Sequence, residues 1–276
     1  MKIDIFQHIL PIKYKEALYK AAPPNFYLKD VIESLPTLFD LDHRFRIMDK
    51  FDGLMQVLTV TQPPLELFTT PQKAIDLAKL ANDEMAELVL KYPDRFPCAV
   101  AHLPMNDMDA ALQEVDRAIN DLHFRGVQIF TPTNDKPLDS PEFLPLYEKM
   151  SKYNLPIWIH PERTVDYPDY RSEKRSRFMI FSNFGWPYET TVAMNRLVFS
   201  GVLEKYPNLK FITHHCGGMV PFLEKRIIGA FDHAEMLRGA RYKQGLTRAP
   251  IDYFKMFYLD TALYGSTPGL MCGYEF

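Results

Sequence analysis

Histidines stand at the ends of several short apolar runs in this chain. His8 follows "KIDIFQ", His160 ends "PIWIH", and the pair His214-His215 ends "FITHH". Neutral imidazoles bind Zn²⁺ and related ions, and a histidine titrates near neutral pH. Any one of these residues alone could equally be a structural histidine. Their convergence from three runs predicts one shared site, with His8 and His160 as metal ligands, His215 as general acid or base, and His214 in a supporting role.

Further polar, aromatic and cysteine residues are candidates for this site. Catalytic zinc normally has three protein ligands, so two histidines are too few. Asp260 in "FYLDTAL" is a candidate third ligand, although an acid at this place could instead hydrogen-bond a neighbouring loop. His102 in "AVAHLP" ends another apolar run. Trp186 is either a core aromatic or a pocket wall, and Cys216 lacks the orienting group that a nucleophile requires.

Seven short β-like runs alternate with longer segments of helical period, which indicates parallel β/α units. Seven units favour a closed (β/α) barrel, forming a single domain over residues 1–276. In such barrels the carboxyl ends of the strands carry the active site, and this places the histidines there. The runs are Lys2–Phe6, Leu54–Val60, Cys98–His102, Gly126–Phe130, Pro156–His160, Leu209–His215 and Phe257–Thr261.

The composition excludes several classes of partner. The 276 residues carry a net charge of −3, which argues against nucleic acid as the main partner. Hydrophobic residues make up 47% of the chain, enough for a sizeable core, yet no apolar run is long enough to span a membrane. The three cysteines are widely spaced and fit a reducing compartment. We therefore expect a cytoplasmic protein that acts on a small molecule.

The order of the motifs resembles that of a known group of enzymes. "KIDIFQHILP", "RFRIMD", "GVQI", "IWIHP", "WPYETT", "FITHHCGGMVPFLEKRI" and "FYLDTAL" follow one another as in the amidohydrolase superfamily. The nearest branch resembles the aminocarboxymuconate-semialdehyde decarboxylase family, which includes the γ-resorcylate decarboxylases. The resemblance implies a distorted (β/α)₈ TIM barrel and one divalent metal ion, zinc or manganese. It also implies non-oxidative decarboxylation of an aromatic or unsaturated carboxylic acid.

The resemblance assigns roles to four residues. His8 matches the second histidine of the family's strand-one H-x-H, His160 matches the strand-five ligand, and His215 matches the catalytic histidine of strand six. Arg226, which by itself would be interpreted as a solvated helix charge, matches an arginine that reaches a substrate carboxylate in the neighbouring subunit's site. That match implies a homodimer.

Two departures from the family pattern concern the metal. Phe6 replaces the first histidine of the H-x-H, a position held by glutamate in the resorcylate decarboxylases. This indicates an altered metal site, in which Phe6 is an apolar wall for the substrate ring. The family's remaining ligand is an aspartate on strand eight, which Asp260 does not match. We therefore expect the natural protein to extend past Phe276 into that strand.

Two alternatives remain open from the sequence. One is a hydrolase on the same fold, such as a lactonase that works without metal, which would suit Phe6. The other is a catalytically inactive homologue. A lactonase adds water and keeps every carbon, whereas a decarboxylase releases CO₂, so analysis of the products distinguishes them.

Overall fold

Strands alternate with helices along the chain in a computed structural model, which describes residues 1–24, 26, 28–238 and 245–276. The chain forms two compact units, Met1–Ile129 and Phe130–Phe276. Every strand pair with a register is parallel. The prediction of parallel β/α units is therefore confirmed. Within the described residues, no helix has the length and apolarity needed to cross a membrane.

The first unit begins with a parallel pair of long strands. Its strands are β1 (Lys2–Ile9), β2 (Leu54–Val60), β3 (Ala101–His102) and β4 (Val127–Thr131), the last of which crosses into the second unit. Its helices are α1 (Ile12–Ala21), α2 (Lys29–Glu33), α3 (Leu41–Met48), α4 (Pro71–Lys91) and α5 (Met108–Asn120).

Strand β1 contains an irregularity just before its polar end. It pairs with β2 from Lys2 opposite Leu54, and the register shifts between Asp4 and Gln7. A bulge of this kind re-aims the side chains that follow it. Beyond the bulge, His8 lies opposite Thr59.

The strands of the second unit lead into most of the polar residues of the candidate site. Its strands are β5 (Pro156–Pro161), β6 (Lys210–Thr213) and β7 (Tyr258–Leu259). Its helices are α6 (Leu144–Tyr153), α7 (Trp186–Phe199), α8 (Val202–Lys205), α9 (Glu224–Arg238), α10 (Pro250–Phe254) and α11 (Thr267–Glu275). Five of the six residues of β5 are buried, as expected of a parallel strand that is covered on both faces.

The predicted strands differ from the observed ones mainly at their ends. Strand β1 extends to Ile9, so His8 lies inside it, and β3 is shorter than predicted. Strand β6 ends at Thr213, which leaves His214 and His215 beyond the strand. These strands end in polar residues, so the length of an apolar run does not show where the strand ends.

Candidate active site

His160 is presented by the carboxyl end of β5. Its side chain is buried, and its Nδ1 lies 2.7 Å from the carbonyl oxygen of Pro161. A carbonyl oxygen only accepts hydrogen bonds, so Nδ1 carries the proton and donates it. The other nitrogen, Nε2, therefore keeps its lone pair. A backbone carbonyl that fixes the tautomer in this way is usual for histidines that bind metals.

His214 is held in the same tautomer by a carboxylate. Its Nδ1 donates to Oδ2 of Asp260, and both side chains are buried. Oδ1 of Asp260 accepts from the backbone N–H groups of Cys216 at 2.9 Å and Ala262 at 3.0 Å. Burial alone would raise the pKa of Asp260, but the hydrogen bond from His214 and those from the two backbone N–H groups lower it overall. Asp260 thus orients His214 and the loop after β6.

The rings of His160 and His214 lie together. Their centroids are 4.9 Å apart, and a ring nitrogen of one lies within 4.8 Å of a ring nitrogen of the other. Each ring keeps its lone pair on Nε2, since Nδ1 is occupied as a donor. Two such imidazoles fit a divalent ion of the zinc or manganese type, although a complete site needs further ligands.

His215 lies in a strained turn beside this pair. Its φ is +53°, as is that of Cys216, and residues other than glycine rarely adopt this backbone conformation. The turn brings its ring centroid to 4.2 Å from that of His214, rather than to the opposite face expected of a regular strand. Burial, and then the neighbouring His214, lower the pKa of His215 to about 3, so its imidazole is neutral near pH 7.

Trp186 packs against His160 and against His215. Its indole stacks on His215 at 6.1 Å and meets His160 edge-on at 6.3 Å, between ring centroids. Its Nε1 donates to the carbonyl oxygen of Arg163 at 3.1 Å. These contacts place the indole beside the histidines, and its role as a pocket wall stays a prediction.

An ion pair that the sequence analysis missed lies next to Trp186. Nη1 of Arg163 is 2.7 Å from Oε1 of Glu189, and both side chains are largely buried. Burial raises the pKa of Glu189, and the guanidinium of Arg163 partly offsets that rise. The partners are 26 residues apart, so no local spacing could have revealed the pair.

His8 is oriented in the first unit by the neighbouring strand. Its Nδ1 lies 3.1 Å from Oγ1 of Thr59, whose hydroxyl donates to the carbonyl oxygen of Gln7 at 3.3 Å. The hydroxyl oxygen therefore accepts from Nδ1, and Nε2 of His8 keeps its lone pair. Arg44 fixes the strand itself, because its Nη2 donates to the carbonyl oxygen of His8 at 2.5 Å.

Phe6 packs beside His8 in the same unit. The two ring centroids are 5.6 Å apart and meet edge-on, and only 6% of Phe6 is exposed. A buried phenyl ring against the histidine is compatible with the predicted apolar wall.

Two other candidates have different surroundings. Arg226 is exposed on α9, where it lines a cavity of about 220 Å³ together with Thr191 and Asn195 of α7.

His102 is buried against Tyr14, at 6.2 Å between ring centroids, and burial lowers its pKa to about 4. His102 is therefore a neutral histidine of the core of the first unit.

A family model described as amidohydrolase matches residues 3–238. The chain belongs to the amidohydrolase family. This match confirms the superfamily resemblance inferred from the motifs.

Characterised relatives narrow the comparison to decarboxylases. The 2-amino-3-carboxymuconate-6-semialdehyde decarboxylase of Dictyostelium discoideum is 30% identical over 279 residues, covering 96% of this chain and 75% of that protein. The gamma-resorcylate decarboxylase of Rhizobium radiobacter is 30% identical over 246 residues, covering 87% and 73%. Both names agree with the branch that the motifs indicated.

A solved structure supports the fold. The dihydroxybenzoic acid decarboxylase of Polaromonas sp. JS666, with bound manganese and the inhibitor 2-nitroresorcinol, matches with a TM-score of 0.81 and 26% identity. The match covers 100% of this chain and 83% of that one. The predicted fold class, a TIM barrel of the metal-dependent hydrolase type, is confirmed. So is the prediction of an enzyme of the decarboxylase class, because all three relatives are decarboxylases.

Proposed function

We propose that this protein is a metal-dependent, non-oxidative decarboxylase of an aromatic or unsaturated carboxylic acid. The observation that carries the proposal is the pair His160 and His214, two buried imidazoles that lie together with Nδ1 engaged and Nε2 free of a proton. The decarboxylases among the relatives, one of them with bound manganese, support the same reaction class.

We propose that His160 and His214 hold one divalent ion, manganese or zinc, and that His8, which matches a metal ligand of the family, is a further ligand. In each of the three, the hydrogen bond at Nδ1 places the proton there, so the lone pair of the ring lies on Nε2. Three neutral imidazole nitrogens are a donor set that such ions accept. When bound, the ion would act as a Lewis acid that holds the substrate carboxylate and an adjacent oxygen.

His215 would pass on a proton from solvent water. Its imidazole is neutral near pH 7, so one ring nitrogen can take up a proton from a bound water while the other releases its own to the substrate. Transfer of that proton to the ring carbon that bears the carboxylate makes this carbon tetrahedral. The bond to the carboxylate then breaks, its electron pair restores the ring, and CO₂ leaves. Trp186, stacked on His215, would keep the imidazole in place and exclude water from it.

The remaining assignments stay proposals of the same kind. Phe6 would face the substrate ring as an apolar wall. Arg226, exposed on α9, would bind a substrate carboxylate in the site of a partner subunit, which requires a homodimer. A cytoplasmic location and a small-molecule acid as the ligand complete the proposal.

The test is release of CO₂ by the purified full-length chain, loaded with Mn²⁺ or Zn²⁺, from a panel of hydroxybenzoic and muconate-like acids. We expect a product with one carbon fewer. In D₂O we expect one deuterium at the carbon that carried the carboxylate. Substituting His160→Gln should abolish both the metal content, measured by elemental analysis, and the reaction. His233→Gln, on the exposed side of α9, is the matched control and should change neither.

Two results would count against the proposal. Absence of CO₂ from every acid, with metal bound, would exclude the decarboxylase. A product that gains water and keeps all carbons would favour the hydrolase alternative.

A further inference from the structure

The ion pair between Arg163 and Glu189 connects the loop after β5 to the first turn of α7. Arg163 lies two residues beyond the end of β5 at Pro161, and Glu189 is the fourth residue of α7. Nη1 of Arg163 is 2.7 Å from Oε1 of Glu189, and only 23% and 16% of the two side chains are exposed. A pair that is this deeply buried holds its two segments together, because an unpaired charge in the interior is costly.

The backbone of Arg163 also holds Trp186. Nε1 of Trp186, the first residue of α7, donates to the carbonyl oxygen of Arg163 at 3.1 Å. The same indole stacks on the ring of His215, at 6.1 Å between centroids. Arg163 therefore makes two contacts to α7, one through its side chain to Glu189 and one through its carbonyl group to the indole.

Gly185 makes room for the side chain of Arg163. A Cβ built on Gly185 would lie 2.4 Å from Cδ and 3.0 Å from Nε of Arg163. The φ of Gly185 is −65°, which any residue adopts, so the close approach of Arg163 requires glycine here and the backbone conformation does not. The ring of Tyr167 contacts the same guanidinium, whose Cζ lies 5.1 Å from the ring centroid. The side chain of Arg163 is therefore packed against Glu189, Gly185 and Tyr167 together.

We propose that Arg163 and Glu189 are positioning residues, which hold the indole of Trp186 against His215 and so keep the imidazole aligned for proton transfer. Neither residue has to touch the substrate in this role. Loss of one partner leaves the other charge largely buried and unpaired, so that side chain turns towards water. The backbone of residue 163 then moves, and its hydrogen bond to the indole weakens. The inference rests on the proposed function, since it concerns the proton transfer of that reaction.

The first test is kinetic. Misalignment of a proton donor slows the chemical step more than it weakens substrate binding. In the Mn²⁺-loaded full chain we therefore expect Glu189→Ala to lose about tenfold to a hundredfold in kcat, with KM changed by less than about twofold. The conservative variant Glu189→Gln should keep most of kcat, because its amide oxygen still accepts a hydrogen bond from the guanidinium. Release of CO₂ from the best acid of the panel measures both constants.

The second test observes the indole without turnover. The chain contains two tryptophans, Trp158 and Trp186, so labelling with ¹⁵N-tryptophan gives two indole N–H signals in an NMR spectrum. The spectrum of Trp186→Phe identifies the signal of Trp186. In Glu189→Ala we expect this signal to shift and its hydrogen to exchange faster with water, while the signal of Trp158 stays in place.

Gly185→Ala disturbs the same pair without removing a charge. Its added methyl group displaces Cδ of Arg163, and alanine favours a helical conformation more than glycine does, so the variant should fold. We expect the same loss of kcat and the same shift of the Trp186 signal. Asp139→Ala is the matched control, because Asp139 pairs with Arg196 of the same helix, with 2.9 Å between Nη2 and Oδ2. It should change neither kcat nor the signal.

Two results would overturn the inference. One is a Glu189→Ala protein with a lower melting temperature but with the kcat and the Trp186 signal of the wild type, which would make the pair purely structural. The other is an equal loss of kcat in Asp139→Ala, which would show that any weakening around α7 slows the reaction.

Failure of the inference is distinguishable from failure of the proposed function. Absence of CO₂ from every acid, together with a shifted Trp186 signal in Glu189→Ala and Gly185→Ala, would remove the decarboxylase and keep the role of the pair in holding the indole. Release of CO₂ with an unchanged kcat in both variants would do the reverse.

Discussion

His214 illustrates how one hydrogen bond at the residue scale decides what a histidine can bind. Oδ1 of Asp260 is already occupied by two backbone N–H groups, so only Oδ2 faces the ring. The carboxylate must therefore accept from Nδ1 of His214, and Nε2 has no proton. In His160 a backbone carbonyl has the same effect, because Nδ1 donates to it and Nε2 therefore has no proton.

Substituting Asp260→Asn should reverse the tautomer of His214. The two backbone N–H groups would keep the amide oxygen on their side, and the amide nitrogen would then face Nδ1 as a donor. Nδ1 would have to accept, Nε2 would carry the proton, and the lone pair for a metal would be lost. We expect a loss of about 10- to 100-fold in metal affinity, measured by titration of the apoprotein.

The control for this variant is Asp139→Asn, which weakens a surface pair with Arg196. It should leave metal affinity unchanged. Equal metal affinity in Asp260→Asn and the wild type would show that His214 does not serve as a ligand.

The sequence pattern locates the histidines but not the directions of their side chains. His8 and His160 follow apolar runs, and this pattern by itself predicts that both lie near strand ends. The alternation argument fails for His214 and His215, because β6 ends at Thr213 and His215 adopts a positive φ. Alternation predicts side-chain direction only while the strand continues.

At the scale of elements, the loop after β6 is docked on α7 through a glycine. Gly218 has a φ of +63°, and a Cβ built on it would lie 2.4 Å from the carbonyl oxygen of Pro187. The hydroxyl of Thr191 donates to that same oxygen and accepts from the N–H of Met219 at 2.8 Å. The close approach of loop and helix therefore keeps His214 and His215 in position.

Gly218→Ala should lower the free energy of unfolding by more than about 2 kcal/mol, because a backbone clash adds to the cost of a positive φ. Gly201→Ala is the matched control: its φ is +78°, and nothing lies within 4 Å of the added Cβ. That variant should lose only about 1–2 kcal/mol. Chemical denaturation of both proteins gives the comparison, and equal losses would contradict a role for the close approach.

Arg44 connects three elements of the first unit through one buried guanidinium. It donates to the carbonyl oxygens of Thr37 and His8 and to Oε1 of Gln56. Burial lowers its pKa to about 10, which leaves it charged at neutral pH, and the charge of Asp4 counteracts that lowering.

Arg44→Lys should destabilise the protein, because one ammonium group cannot reach all three acceptors. Each acceptor left unpaired in the interior costs roughly 1–3 kcal/mol, so we expect a loss of about 2 kcal/mol or more by chemical denaturation. Arg46→Lys, exposed on the same helix, is the control and should change stability little. A variant as stable as the wild type would mean that the three acceptors find other partners.

The order of the elements was predictable from the sequence, and the network of Arg44 was not. Apolar runs bounded by helical segments identified β2 over its full observed range. The motif "RFRIMD" contributed only to the family resemblance, since a run of alternating arginines gives no sign of which one is buried. Burial of a charge depends on acceptors that come from other segments of the chain.

For the whole molecule, the net charge of −3 says little about how stability varies with pH, because the fold shifts the pKa values of individual buried groups, two of which lie in the first unit. Burial raises the pKa of Glu66 from 4.5 to about 7 and lowers that of His102 from 6.5 to about 4. Composition contains no information on which ionisable groups the fold makes neutral.

The two groups should offset each other in the ligand-free protein. Between pH 4.5 and 7 the folded state holds a proton on Glu66 that the unfolded state has released, so this group lowers stability as pH rises. Between pH 4 and 6.5 the folded state lacks a proton on His102 that the unfolded state binds, so this group lowers stability as pH falls. Each shift corresponds to roughly 3 kcal/mol, and the opposite slopes cancel where the ranges overlap.

Replacing one of the two groups should reveal how the other changes the free energy of unfolding with pH. With Glu66→Gln, the free energy of unfolding should rise by up to roughly 3 kcal/mol relative to wild type as pH increases from 4 to 7. With His102→Phe, it should fall by a similar amount over the same range. Denaturant titrations at several pH values measure both differences against the wild type, which cancels the contributions of all other groups. Parallel pH profiles for the three proteins would mean that Glu66 and His102 titrate normally, and hence that neither is as buried as its surroundings indicate.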